Sequence, residues 1–327
     1  MPYVPRNCLE RIGRPDWRKF YGKCATLSDK TISRILWPDP GLHGCVFCVI
    51  ARDTLGSTLG HFERFNFFPA SPLACVTWQL DGECRWIGQA KDMEHPSRAP
   101  QMPVIAFSGA QVGSLVSWNP GPTRAVTIAF YPDVFSAITG IDLALFTDRM
   151  ADAEAILPNA MMDMCETFLV RARSTEFEAA LTALQREMSA QWVKSRRATP
   201  LSDGRLESWS QDLVRRANVA SVGQSKRQIA RRVKSWTGIN ARELHNLGRV
   251  ENLYESIHKA LQAGDPIWAD IAAEAGYADQ AHMIRRLRQH TGFTPGQLRA
   301  RAATDEAFWP YRLLEQYFDR PEMAEEV

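Results

Sequence analysis

Between Trp37 and Phe130 apolar residues come in short runs or alternate with polar ones, and Gly and Pro break the runs. Cys45-Val46-Phe47-Cys48-Val49-Ile50, Cys75-Val76-Thr77-Trp78 and Ala125-Val126-Thr127-Ile128-Ala129-Phe130 predict strands. Asp81-Gly82, Asn119-Pro120 and Gly121-Pro122 mark turns between them. The pattern predicts a β-rich sandwich or barrel. Past Tyr131 the period lengthens. Met161, Met164, Cys165, Phe168 and Leu169, then Phe177, Leu181, Leu184, Met188 and Trp192, recur at helical spacing. They predict two amphipathic helices divided near Ser174-Thr175, packed on the β domain or, alternatively, on a second subunit.

Lys194 to Asp203 is polar and linker-like, and from Leu206 onward nearly everything reads helical. Two units stand out there. In the first, Ser225 is placed to cap a helix and Gly238 to end it. Ile229, Val233 and Trp236 fall on one side of that helix, with Arg227, Ala230, Arg231 and Lys234 on the other. In the second, Ile271, Ala272 and Ala275 form a narrow seam, Gly276 permits a sharp turn, and Asp279 caps the next helix. Met283, Ile284 and Leu287 face inward on it, leaving Gln280, His282, Arg285 and Arg288 outside. A long helix, roughly Ala241 to Gln262, joins the units, with Leu244, Leu247, Val250, Leu253, Ile257 and Leu261 largely on one side. A rod of that kind suits two readers held about 34 Å apart, one turn of DNA.

Charge agrees with this division. The chain carries a formal +2, yet Leu206 to Arg301 holds 15 Lys and Arg against 9 Asp and Glu. That +6 leaves −4 for the remainder, so one end is suited to a polyanion. The polar, Arg- and Pro-bearing N-terminus lacks the apolar core of a secretory signal, and no run is long enough for a membrane span. The expected location is cytoplasmic, with no membrane partner. Seven cysteines at 8, 24, 45, 48, 75, 84 and 165 are expected as packed thiols.

Leu206 to Arg301 resembles the DNA-binding domain of the AraC/XylS family of bacterial transcription regulators. The resemblance is carried by Ser225-Lys226-Arg227-Gln228 with Arg231-Arg232 and Thr237-Gly238, and by Ile271-Ala272-Ala273-Glu274-Ala275-Gly276-Tyr277-Ala278-Asp279-Gln280. Gly292-Phe293-Thr294-Pro295 and Gln297-Leu298-Arg299 complete it. The family usually has Phe where Val233 and Leu287 stand, and Arg-Leu where Arg249-Val250 stands. The resemblance implies that the second helix of each unit enters the major groove. The base-facing residues it implies are Arg227, Ala230 and Arg231, then Gln280, Ala281, His282 and Arg285; Arg suits guanine, Gln adenine, and an Ala methyl the thymine methyl. Ser225, Lys234, Arg288 and Thr294 would contact phosphates, which position without specifying. The N-terminal half resembles the divergent cupin-like β domain that often precedes this unit.

The expected fold class is therefore α+β. A β-rich effector-binding or dimerisation domain with two C-terminal helices (1–195) leads through a linker (196–205) to an all-α double helix-turn-helix domain (206–303). The apolar segment Phe308 to Phe318 is expected to dock on the protein within a tail (304–327) that ends acidic. Double-stranded DNA, RNA polymerase, a small-molecule effector and a second copy of the chain are the expected partners, with the effector's residues unassigned.

Other signals point elsewhere. Cys45-x-x-Cys48 beside His43 suggests metal or redox chemistry, but residues three apart on a strand face opposite ways. His61-Phe62-Glu63 has the wrong composition for a cupin metal site. No Ser-His-Asp or Cys-His spacing is readable, so the expectation is a non-enzyme with no catalytic residue, metal or cofactor. The alternatives are a β-domain enzyme or a thiol redox sensor fused to the DNA-binding module. Phe62, Phe65, Phe67, Phe68, Trp78, Trp86 and Trp118 are expected in the core, or else lining an apolar pocket.

Overall fold

The computed structural model describes residues 31–88, 90–174, 177–195, 205–219, 225–264 and 267–318. Cys8, Cys24, nearly all of the expected linker and the acidic end lie outside these residues.

Large and small residues alternate along the three central strands, and that alternation sets the architecture. In β8 (Arg124–Phe130), Val126, Ile128 and Phe130 alternate with Ala125, Thr127 and Ala129. In β4 (Ala74–Asp81), Val76, Trp78 and Leu80 alternate with Cys75, Thr77 and Gln79. The large set, together with Val49 of β2 (Val46–Asp53), forms one buried cluster with the helices outside the sheet. With β1 (Ile32–Leu36), β6 (Ile105–Ser108) and β9 (Met150–Asp152) these strands make a six-stranded antiparallel sheet ordered β1-β2-β8-β4-β6-β9. A second antiparallel sheet, β3-β7-β5, contains Phe65–Phe68, Leu115–Trp118 and Arg85–Ile87. The expected β-rich domain is present as two sheets.

A short helix α1 (Ala90–Glu94) lies among the loops, and α2 (Pro132–Thr139) follows β8. The two expected amphipathic helices are α3 (Asn159–Ser174) and α4 (Phe177–Ser195). Their apolar faces join the β domain: Cys165, Phe168, Leu181, Leu184, Met188 and Trp192 pack with the large residues of the first sheet. Trp78 fixes the contact, with its indole edge-on to Phe168 and its Nε1–H donating to the Cys165 carbonyl at 3.0 Å.

The C-terminal helices are α5 (Leu206–Val219), α6 (Lys226–Thr237), α7 (Ala241–Ala263), α8 (Trp268–Glu274), α9 (Gln280–Thr291), α10 (Pro295–Thr304) and α11 (Trp309–Phe318). They are not walled off from the β domain. Trp209, Leu213, Val233, Ile239, Leu244 and Leu247 belong to the same buried cluster as the first sheet. The second unit has its own small core of Leu253, Ile271, Ala272, Ala275, Tyr277, Met283 and Leu287. Phe293, Leu298, Phe308 and Tyr311 pack on Phe65, Phe67 and Val116 of the second sheet. In the C-terminal segment Phe308, Trp309, Tyr311, Leu313 and Tyr317 are buried. No helix among the described residues is long and apolar enough to cross a membrane.

Candidate nucleic-acid interface and a cavity between the domains

Ser225 precedes α6, and its N–H donates to Gln228 Oε1 at 2.8 Å in a capping box. Val233 is fully buried, and Ile229 and Trp236 pack partly against the same core. Arg227, Ala230, Arg231 and Lys234 are exposed along the outer face. The helix ends at Gly238 in the left-handed region (φ 81°). A Cβ there would lie 2.7 Å from the Leu143 carbonyl oxygen, so Gly238 also permits the close docking of α6 on the β domain. Thr147 Oγ1 donates to the Gly238 carbonyl at 2.8 Å. Asp133 of α2 accepts from Trp209 Nε1 at 3.0 Å and from Arg216 at 2.8 Å. The first unit is thus held to the β domain at two places, α6 at Leu143 and Thr147 and α5 at Asp133 of α2.

The second unit repeats the design. Gly276 makes the turn with φ 70°, and Asp279 Oδ1 caps α9 by accepting from the His282 N–H at 2.6 Å. Gly292 ends α9 with φ 82°. The preceding threonines match as well: Thr237 donates to the Val233 carbonyl and Thr291 to that of Leu287. Gln280, Ala281, Arg285 and Arg288 are exposed, whereas His282 is half-buried, edge-on to Tyr277 at 5.5 Å. Thr294 is half-buried and caps α10, where its Oγ1 accepts from the Gln297 N–H at 3.3 Å.

The 23 residues of α7 span about 34 Å at 1.5 Å per residue, close to one turn of DNA. Arg249, midway along it, reaches the second unit: its guanidinium lies over the Tyr277 ring at 4.4 Å and donates to the Gly276 carbonyl. Arg249 thereby fixes the turn between α8 and α9 relative to the rod.

At the root of α9, His290 is 3% exposed, and its carbonyl accepts from the Ala70 N–H at 2.9 Å. Burial, and then the charge of Arg286, push its imidazole down to about 4. The residue is therefore neutral in the folded protein at pH 7. As pH falls below about 6.5 the unfolded chain takes a proton that the folded one refuses, so folding stability drops from there toward pH 4. The expected result is that His290→Leu has a smaller pH slope between 6.5 and 5 than the parent in urea titrations; parallel slopes would refute this assignment.

A cavity of about 300 Å³ lies where the two domains meet. Its floor is the small-residue face of the first sheet, in three cross-strand rungs: Cys48–Ala129–Cys75, Ile50–Thr127–Thr77 and Arg52–Ala125–Gln79. Asn66, Phe68, Trp86 and Ser117 of the second sheet face it. The rest of the wall is helical: Leu206 of α5, Leu247, Val250, Glu251 and Tyr254 of α7, and Trp309, Leu313 and Tyr317 of α11. Trp309 Nε1 donates to Asn66 Oδ1 at 2.8 Å, and the Tyr317 hydroxyl to Glu251 at 2.5 Å. The tail thus ties the second sheet to the connector rod.

Of the aromatic cluster singled out in the sequence, Phe65, Phe67, Trp78 and Trp118 are core, Phe68 and Trp86 line the cavity, and Phe62 is exposed. The cavity's other walls were missed. Their signal was the run of Ala, Thr, Cys and Gln opposite large residues on β2, β4 and β8.

Among the described residues the cysteines are a poor redox device. Cys45 packs in the main core and Cys48 on the cavity side, so they face opposite ways. Cys48 and Cys75 flank Ala129 two strands apart, about 9.6 Å, too far for a disulfide. Burial pushes the Cys45, Cys75 and Cys165 thiols up to about 12 and the Cys84 thiol to about 11, so all four are protonated at neutral pH.

Residues 219–301 match the family model described as a helix-turn-helix domain. No curated protein matches the chain. Among solved structures, ToxT from Vibrio cholerae is similar at 12% identity, covering 72% of this chain and 93% of that one, with a TM-score of 0.33. Its form bound to an unsaturated fatty acid is similar at 9% identity over 85% and 96% of the two chains, with a TM-score of 0.32.

Proposed function

We infer that this DNA-binding transcription regulator, of the AraC/XylS family by its C-terminal domain, reads two successive major-groove faces and answers to a small effector held in the cavity between its domains. Arg227, Ala230 and Arg231 on α6, and Gln280, Ala281, His282 and Arg285 on α9, are the base-facing set. Lys234 and Arg288, with Ser225 and Thr294 at the helix starts, hold the phosphates. It acts by binding, with no chemistry of its own.

The observation that carries the effector reading is the shared wall. Leu247, Val250, Glu251 and Tyr254 line the cavity from one side of the rod that joins the two readers. A ligand touching those residues and the β-sheet floor would bind differently to arrangements in which the rod sits differently. That difference in affinity is what a ligand needs to shift a conformational equilibrium.

RNA polymerase at an adjacent promoter is the expected protein partner. A second copy on a neighbouring half-site is the expected assembly, read from the stoichiometry of the DNA complex by sedimentation. The central test is footprinting of the full chain on genomic fragments at moderate salt. Protection of defined sites about two helical turns long is expected, and sequence-indifferent binding would overturn the reading.

A further inference from the structure

The polar groups around the cavity are largely satisfied by one another. Thr77 and Thr127 pair through their hydroxyls at 2.9 Å. Asn66 accepts from Trp309 and donates to Ser117 and Asn119, while Gln79 accepts from Thr123. The Glu251 carboxylate accepts from the Tyr317 hydroxyl and the N–H groups of Leu206 and Glu207.

Arg52 is the lining cation, and it is already committed. Its guanidinium meets Glu306 at 2.7 Å, with side chains 7% and 2% exposed. Arg312 adds a second bond to Glu306 at 3.0 Å, and Asp53 lies close enough to act on Arg52. Two cations there balance two anions. A carboxylate entering the cavity would have to take Arg52 from Glu306 or stay unpaired, and either course leaves a buried charge uncompensated.

Three polar atoms on lining residues have no hydrogen-bond partner among the described residues, Arg52 Nε, Gln111 Oε1 and the Tyr254 hydroxyl, but all three are fully buried and none opens into the cavity.

Resting on the effector reading above, we propose that the cavity takes an uncharged, mainly apolar molecule: not a carboxylate, for which Arg52 is already committed, and not an amine, since the lining Glu251 carboxylate already accepts three hydrogen bonds. Its body lies on the Ala, Cys and Ile floor. At about 300 Å³ the space lies at the lower end of the range of small-molecule pockets.

Trp86 and Trp309 line the cavity, so the full chain reports its own occupancy by fluorescence. The probes are 1-decanol, decanoate and decylamine at pH 7.5, matched in length and differing in charge. Saturable binding of decanol at least tenfold tighter than either charged probe is expected. That binding should be lost by tenfold or more in Ala125→Leu, which fills the floor between Arg52 and Gln79, with Ala125→Val as the smaller intrusion should the leucine prevent folding. Decanoate or decylamine binding as tightly as decanol would overturn the uncharged class while leaving the effector site standing. No saturable binding by any probe, or binding unmoved by the folded Ala125 variant, would overturn the cavity as an effector site altogether.

Discussion

Glu306→Leu is expected to destabilise the protein by about 3–5 kcal/mol, because it leaves the Arg52 guanidinium buried without its counter-ion. Arg52 also donates to Ser33 at 2.7 Å and lies over the Trp309 ring at 5.0 Å, so the rest of the structure holds it inside. Burial lowers its pKa, and Glu306 is the main influence holding the charge in place. Glu306 further accepts from Thr31 at 2.9 Å. The pair joins β2 to the start of the tail, so its loss should also loosen the wall that α11 gives the cavity. The double variant Arg52→Met, Glu306→Leu removes both charges and should recover most of the loss, since an apolar pair of similar volume often matches a buried ion pair. Urea titrations of the four proteins in the cycle give the coupling directly. A Glu306→Leu protein within about 1 kcal/mol of the parent would mean that the pair is solvated and the tail held by its apolar contacts alone.

What the chain discloses depends on how local the cause is. The strands around Cys48, Thr77 and Thr127, the helices α3 and α4 and the caps of α6 and α9 follow from periods and single residues, and they are legible in the sequence. The matching Thr-Gly ends of α6 and α9 are legible for the same reason. The cavity was not. Alternation of Val126, Ile128 and Phe130 with Ala125, Thr127 and Ala129 is what any half-buried strand shows. Only the second sheet and the helices facing it turn the small residues into a floor under empty space. Val233 and Trp236 were assigned to a helix-turn-helix core, yet that core is continuous with the β domain through Leu143 and Phe135, a contact between segments nearly 100 residues apart. The place of Trp309 and Tyr317 between Asn66 and Glu251 could not be read from the sequence, because single hydrogen bonds choose it.

For the double variant Arg231→Ala, Arg285→Ala, affinity for the preferred site should fall by about 2–6 kcal/mol, roughly 30-fold to more than 10⁴-fold. Each arginine lies exposed on the outer face of its own helix, two residues before a buried one, Val233 on α6 and Leu287 on α9. An arginine bidentate to guanine is worth about 1–3 kcal/mol against the wrong base. The two stand on separate helices with no shared partner, so their costs should add. Each single variant should relax base preference at one position only, and the two positions should lie about one helical turn apart. Lys234→Ala and Arg288→Ala make the control, because a lost phosphate contact weakens preferred and random DNA alike and lowers the salt slope by about 1 each. Selection from a random-sequence library at fixed salt separates the two classes. A double variant with the parent's affinity and base preference would take both arginines out of the reading set and leave α6 and α9 bound to the backbone alone.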